Sequence, residues 1–240
     1  MKKILLLQFR TDISLEHERE MIYKMGGFDK SEFEVINVLD KDAIIPGPYD
    51  VNHYKAVITG ASGQFNVTDW DDDVRTKIER VYPFLKALVA SAVPTLAICF
   101  GHQLVAQIFG GEVKSDPEQA ETGVMEMHLT DEGKRCKLFN NIPETFYAVC
   151  GHKDSVTLLP KSAKLLAYSD KCNIHAYQLT DNFYSVQFHP ELDRDGLTWR
   201  LSLFPQYMKG RTIDEIKATY NEIPHVFKVV RNFKNIIDNV

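Results

Sequence analysis

Long apolar runs are missing from this sequence. The Ile4-Leu5-Leu6-Leu7 run is cut short by Gln8 and Arg10, far below the roughly 20 apolar residues that a membrane-spanning helix needs. It reads as a first β-strand rather than a signal peptide. Cysteine is scarce as well. Cys99, Cys136, Cys150 and Cys172 are the only four, and none forms a CxxC pair. That spacing argues against a zinc knuckle and for reduced thiols in a cytoplasm. A basic surplus is also lacking: 28 Lys and Arg stand against 33 Asp and Glu, a formal net charge of −5, so there is no electrostatic footprint for nucleic acid. No repeat, low-complexity tract or linker interrupts the 240 residues, enough chain to bury one α/β core with a small appendage.

What is present is a strand, a tight turn and a helix built around one thiol. Residues 93–98 are short, apolar and partly β-branched, as a buried strand is. Leu104, Val105, Ile108 and Phe109 then recur at helical spacing until Gly110-Gly111 stops the helix. Cys99 falls on the turn between them. The unpaired N–H groups and positive dipole end of a helix start favour a thiolate there. Gly101 suits a place where the helix packs back on its strand with no room for a Cβ. A buried core cysteine is the bland alternative.

A nucleophilic thiol needs a base, and the base needs an orienting group. The stretch Tyr-Ser-Val-Gln-Phe-His-Pro-Glu at 184–191 offers both. Residues 183–188 read as a strand with His189 at its end. Glu191, two residues on, projects to the same side, and Pro190 stiffens the link. A third segment is the strand 54–59 running into Gly60-Ala61-Ser62-Gly63. Small residues after a strand let backbone N–H groups converge on one point, as an oxyanion requires; a plain tight turn needs the same residue types.

The remaining pattern gives a helix at 13–25, a strand at 34–39, and a helix from Trp70 that Pro83 kinks or restarts. Strands follow at 111–114, 123–129 and 146–149, then a meander at 164–169, 174–178 and 183–188. Three helices close the chain, at about 196–208, 212–220 and 224–239. The last has one apolar stripe of Val226, Val229, Val230, Phe233, Ile236 and Ile237.

Cys-Phe-Gly-His-Gln at 99–103, with Phe-His-Pro-Glu at 188–191, resembles a class I (triad-type) glutamine amidotransferase domain. The flavour is free-standing, similar to the amidotransferase domain of GMP synthase. The glycine-rich stretch at 57–68 and the Gly-His-Lys-Asp stretch opening 151–160 fall in the family's order, and the resemblance covers about residues 1–195. It implies an α/β, flavodoxin-like fold with an open, mixed, mostly parallel sheet flanked by helices. Residues 1–195 are then the catalytic domain, and 196–240 a helical extension packed on it.

The resemblance also implies a Cys99, His189 and Glu191 triad, with oxyanion donors at the Ala61 and Phe100 amides. Substrate contacts would come from Gly60, Gln103 and the loop Gly151, His152, Lys153 and Asp154. No metal or other cofactor is expected. Ala61 stands where the family usually has a second glycine, and Lys153 where a glycine is often found. The implied reaction is hydrolysis of glutamine to glutamate and ammonia through a γ-glutamyl thioester; the ammonia acceptor is either housed in a synthetase partner or there is none. A γ-glutamyl peptidase acting on glutathione-like compounds would use the same machinery, and the motifs do not separate the two. DJ-1/PfpI-like proteins resemble this chain in fold but place a histidine directly after the cysteine, where this chain has Phe100.

Overall fold

The computed structural model describes residues 2–208, 210–218 and 225–239. The strands are β1 (Lys3–Gln8), β2 (Phe33–Asn37), β3 (Tyr54–Thr59), β4 (Thr95–Ile98), β5 (Glu112–Ser115), β6 (Glu121–Leu129), β7 (Thr145–His152), β8 (Asp154–Leu158), β9 (Lys164–Tyr168), β10 (Ala176–Thr180) and β11 (Phe183–Val186). The α-helices are α1 (Ser14–Gly26), α2 (Asp72–Glu79), α3 (Tyr82–Val89), α4 (Phe100–Ile108), α5 (Asp131–Arg135), α6 (Arg194–Leu203), α7 (Ile213–Ala218) and α8 (Phe227–Asp238).

Side-chain alternation explains the continuous apolar run of β1. Ile4 and Leu6 enter one hydrophobic cluster, while Leu5 and Leu7 enter the other on the opposite face of the sheet. Local chemistry sets the helix ends. Gly27 closes α1 in the left-handed region at φ 68°, where a Cβ would be penalised. The Asp71 side chain accepts from the Val74 amide to start α2, and Pro83 sits in the first turn of α3. The proline therefore opens a second helix instead of bending the first.

Among the described residues, nine strands form one sheet in the order β2-β1-β3-β4-β11-β10-β9-β6-β7, and β5 pairs with β8. The first five are mutually parallel; from β11 onward the neighbours are antiparallel. This is the mixed sheet flanked by helices that the resemblance implied. Thr59 pairs with Ala97, and Ile98 with Val186, so the C-terminal ends of β1, β3, β4 and β11 lie side by side. That edge is where open α/β sheets bind ligands.

Two local expectations change. Residues 151–160 are not a loop: β7 runs through His152, β8 starts at Asp154, and Lys153 alone lies between them. Gly151 and His152 pair with Thr122 and Glu121, and Asp154 pairs with Ser115. These ladder bonds outweigh the turn-like composition. The short α5 was not anticipated; Thr130 caps it by accepting from the Gly133 amide.

Of the helix expected at 212–220, α7 covers Ile213–Ala218 and the last two residues lie outside the described ones. Position 224, the expected start of the last helix, also lies outside them. Val229, Val230, Phe233 and Ile237 of α8 are buried in the same cluster as Ile4 and Leu6. No helix among the described residues is long and apolar enough to cross a membrane.

Candidate active site

Cys99 is the hinge between β4 and α4. Its backbone has φ 50° and ψ −100°, a conformation that costs a non-glycine residue about 1–3 kcal/mol unless its surroundings fix it. They do: its N–H donates to the Val186 carbonyl at 2.8 Å, and its carbonyl accepts from the Gln103 amide at 3.1 Å. Gly101 is required, but the obstacle differs from the expected one. A Cβ there would lie 2.1 Å from Thr59 Oγ1 and 3.0 Å from the Thr59 carbonyl, so helix α4 is pressed against β3, not only against its own strand.

His189 follows β11, the strand beside β4, and its N–H donates to the Val149 carbonyl at 2.8 Å. Its Nδ1 lies 2.9 Å from Glu191 Oε1, which leaves Nε2 for the thiol, and Cys99 is close enough to favour the charged ring. Burial opposes a charged imidazole here, but the Glu191 carboxylate and Cys99 overcome it and raise the His189 pKa to about 9. Burial likewise works against the Glu191 carboxylate, yet His189 and then Arg200 bring its pKa down to about 2.

A measurable consequence follows from these signs. His189 keeps its proton until the pH passes about 9, so kcat/KM should fall above that value as the general acid is lost. Glu191→Gln removes the charge that raises the imidazole, so the limb should move to lower pH. A pH profile of both proteins checks this, and a limb that stays in place would assign it to another group.

The turn at Gly60 and Ala61, expected to supply an oxyanion donor, has its amides engaged within the protein. The Ala61 amide does not point at free space beside Cys99; it donates to Glu18 Oε1 at 2.8 Å. The physical reason is that Glu18, buried on α1, needs donors. It takes them from Gln8 Nε2 at 2.9 Å and Ala61, with Arg10 Nε 3.2 Å away. Gly60 fits for the same cause, since a Cβ there would meet the Glu18 carboxylate at 2.7 Å. Its amide is spent on the Leu7 carbonyl. The Phe100 amide, in the first turn of α4, has no carbonyl partner within the helix.

A tight cavity of about 10 Å³ beside Cys99 is lined by Phe100, Gln103, Gly151, His152, Lys153, Asp154 and Tyr207, among others. The structure thus brings the expected substrate-contact residues to one wall, except Gly60. Several of their side chains have partners within the protein. Gln103 is buried, not a surface polar residue, and its Nε2 donates to the Asp154 carbonyl at 2.7 Å and to Gln187 Oε1 at 2.9 Å. Asp154 Oδ2 accepts from the Thr68 amide and hydroxyl, while its buried Oδ1 has no hydrogen-bond partner among the described residues. Lys153 Nζ lies over the Tyr207 ring.

The His152 ring also joins a buried cluster behind this wall. Glu121 Oε2 lies 2.6 Å from His175 Nε2 and 3.4 Å from His152 Nε2, and Glu121 Oε1 accepts from Ser169 Oγ at 2.7 Å. Cys150 completes a set whose donor atoms all lie within 4.8 Å of one another. The hydrogen bonds already join these groups as a network.

Sequence reasoning missed four residues. Gln187 donates to Cys99 Sγ at 3.5 Å, and its place inside the 184–191 stretch was a usable signal. Arg200 on α6 donates to Glu191 Oε1 at 3.1 Å. Arg10 and Glu18 meet beside the Gly60-Ala61 turn. No local pattern marks these last three, because their roles exist only once α1, α6 and the sheet edge are assembled.

Known proteins resemble this chain to different extents. Residues 30–195 match the family described as "Glutamine amidotransferase class-I". The glutamine-hydrolysing GMP synthase subunit of Methanosphaera stadtmanae is 39% identical over 116 residues, which cover 48% of this chain and 60% of that protein. The chain spans about half to three fifths of the length of such GMP synthase relatives. Gamma-glutamyl peptidase 4 of Arabidopsis thaliana is 30% identical over 217 residues, covering 86% of this chain and 83% of that one. A glutamine amidotransferase crystal structure from Thermotoga maritima covers both chains fully with a TM-score of 0.79 at 15% identity, a likeness of fold. With the family match running over most of its length and through Cys99, His189 and Glu191, the chain belongs to the class-I glutamine amidotransferase family.

Proposed function

We propose that this protein hydrolyses γ-glutamyl amides through a thioester on Cys99. The observation that carries the reading is the strained Cys99 turn at the end of β4, with the His189–Glu191 pair at the end of the adjacent strand. The thiolate attacks the γ-carbonyl carbon, and the Phe100 amide supports the oxyanion, an effect worth roughly 3–4 kcal/mol per donor. The Ala61 amide joins it once that peptide turns away from Glu18. His189 gives its proton to the departing nitrogen and then takes one from water, which releases glutamate and restores the thiol. Glu191 orients the ring throughout. Asp154 Oδ1, without a partner among the described residues, suits the substrate's ammonium group.

Two substrates fit this chemistry. Glutamine would release ammonia for a synthetase partner, in keeping with the GMP synthase relatives. A γ-glutamyl peptide would release an amine, and the Arabidopsis peptidase aligns with far more of the chain, 86% against 48%. Glutamate and ammonia release should be measured in parallel with glutamine, glutathione and γ-glutamyl dipeptides on the isolated protein. Glutamate should appear without added partner, and ammonia from glutamine alone. A rise in kcat of about a hundredfold on adding cell extract, roughly 2.7 kcal/mol, would show that a partner assembles the site. No glutamate from any of them, with or without extract, would end the hydrolase reading.

A further inference from the structure

The triad does not account for every polar group at the Cys99 sulfur. Gln187 Nε2 donates to Cys99 Sγ at 3.5 Å. A carboxamide can sit in either of two ways, with its oxygen and nitrogen exchanged. Here the exchange is excluded by what lies behind it. Gln187 Oε1 accepts from Gln103 Nε2 at 2.9 Å, and the same nitrogen donates to the Asp154 carbonyl at 2.7 Å.

A backbone carbonyl only accepts. Turning Gln103 over would set its oxygen against that carbonyl, and turning Gln187 over would set nitrogen against nitrogen. The relay therefore has one polarity. It starts at the Asp154 carbonyl, passes through Gln103 and Gln187, and presents an N–H to the sulfur.

The donor is held as firmly as the thiol. The Gln187 N–H donates to the His175 carbonyl at 2.7 Å, and the neighbouring Val186 carbonyl accepts from the Cys99 N–H at 2.8 Å. Gln187 and Gln103 are 0% and 4% exposed, so bulk water does not compete for these bonds.

We propose that Gln187 is a catalytic residue whose carboxamide steadies the charged sulfur, with Gln103 as the positioning residue that aims it. The inference rests on the thioester reaction of the hydrolase reading above. A thiol accepts a hydrogen bond weakly, whereas an ionised acceptor takes one strongly. The bond is therefore strongest at the two moments when sulfur carries the charge. One comes before the thiolate attacks the γ-carbon. The other comes after water oxygen has bonded to that carbon, when the C–S bond breaks and its electron pair returns to sulfur.

The test replaces Gln187 in two ways and reads glutamate release from glutamine and γ-glutamyl dipeptides. Gln187→Met fills the space without a donor. It should lower kcat by about tenfold or more while KM stays within about threefold. Gln187→Glu keeps the shape of the carboxamide. Protonated, it accepts from Gln103 and donates its O–H to sulfur; ionised, it sets a negative oxygen there. Its kcat relative to wild type should therefore rise about tenfold or more as pH falls from about 9 to about 5. The Gln187→Met ratio should stay flat over the same range. A residue that only fills the core would give two flat ratios. Gln103→Met should lose about as much kcat as Gln187→Met, and the double variant no more than either alone.

A kcat for Gln187→Met within threefold of wild type, or flat ratios in both variants, overturns the role of Gln187 and leaves the hydrolase reading standing. No glutamate from wild type with any of these substrates, with or without cell extract, overturns both. If Gln187→Met does not fold, judged by thermal melting, the slope of the Gln187→Glu ratio decides. If neither folds, Gln103→Met decides by the same loss of kcat at unchanged KM.

Discussion

Cys99→Ala should lower γ-glutamyl amide hydrolysis by roughly ten-thousandfold or more, the scale of losing a triad nucleophile. The melting temperature should change little, since alanine keeps the Cβ and the backbone bonds to Val186 and Gln103 that hold the turn. A γ-glutamyl chloroketone should label the wild-type protein at Cys99 alone. The other three thiols are buried, and burial pushes each of them up, Cys172 to about 12 and Cys150 well above the ordinary value. A neutral buried thiol is a poor nucleophile. Label spread over several cysteines in peptide mapping, or retained turnover in Cys99→Ala, would show that the nucleophile lies elsewhere.

The reason Cys99 was legible in the sequence is that strand, turn and helix are consecutive, so the periodicity change itself points at the turn. The same holds for His189 and Glu191, where the two-residue spacing in an extended segment fixes the geometry of the pair. The parallel half of the sheet was legible from apolar runs such as β1 and β4.

Contacts between distant segments were not. The Ala61 amide looked free because the sequence around it is only a turn of small residues. Its actual acceptor, Glu18, is 43 residues away on α1. Residues 151–160 carry glycine, lysine, aspartate and proline, which locally favour a turn. Pairing with β6 on one side and β5 on the other supplied ladder bonds that no local pattern announces. Arg200 shows the same limit: an arginine in a C-terminal helix has no signature until α6 is laid beside Glu191.

The buried cluster behind the cavity wall has an effect on stability large enough to measure. Glu121 begins β6 opposite His152 on β7, and it also holds His175 just before β10 and Ser169 just after β9. One carboxylate therefore ties four neighbouring segments at the point where the antiparallel part of the sheet meets the active-site edge. Burial opposes its charge, but hydrogen bonds from His152, His175 and Ser169 overcome that and hold its pKa well below the ordinary carboxylate range.

Glu121→Ala leaves a hydroxyl and two imidazoles buried without their acceptor. Breaking a buried charged network in this way costs about 3–5 kcal/mol, or about 10 °C in Tm for a domain of this size. Glu121→Gln keeps one carbonyl acceptor and should cost less. A carboxylate with a depressed folded pKa stabilises the fold above its unfolded pKa, and that contribution fades as pH falls toward the folded value. The gap between wild type and Glu121→Ala in chemical denaturation should therefore be full at pH 7 and narrow below the ordinary carboxylate pKa of about 4.3. Because His152 and Lys153 form the wall beside Cys99, the alanine variant should also lose activity at temperatures where it is still folded. A Tm within a degree or two of wild type, with no pH dependence of the difference, would mean that the network tolerates an empty carboxylate position and that β6–β7 pairing alone holds this edge of the site.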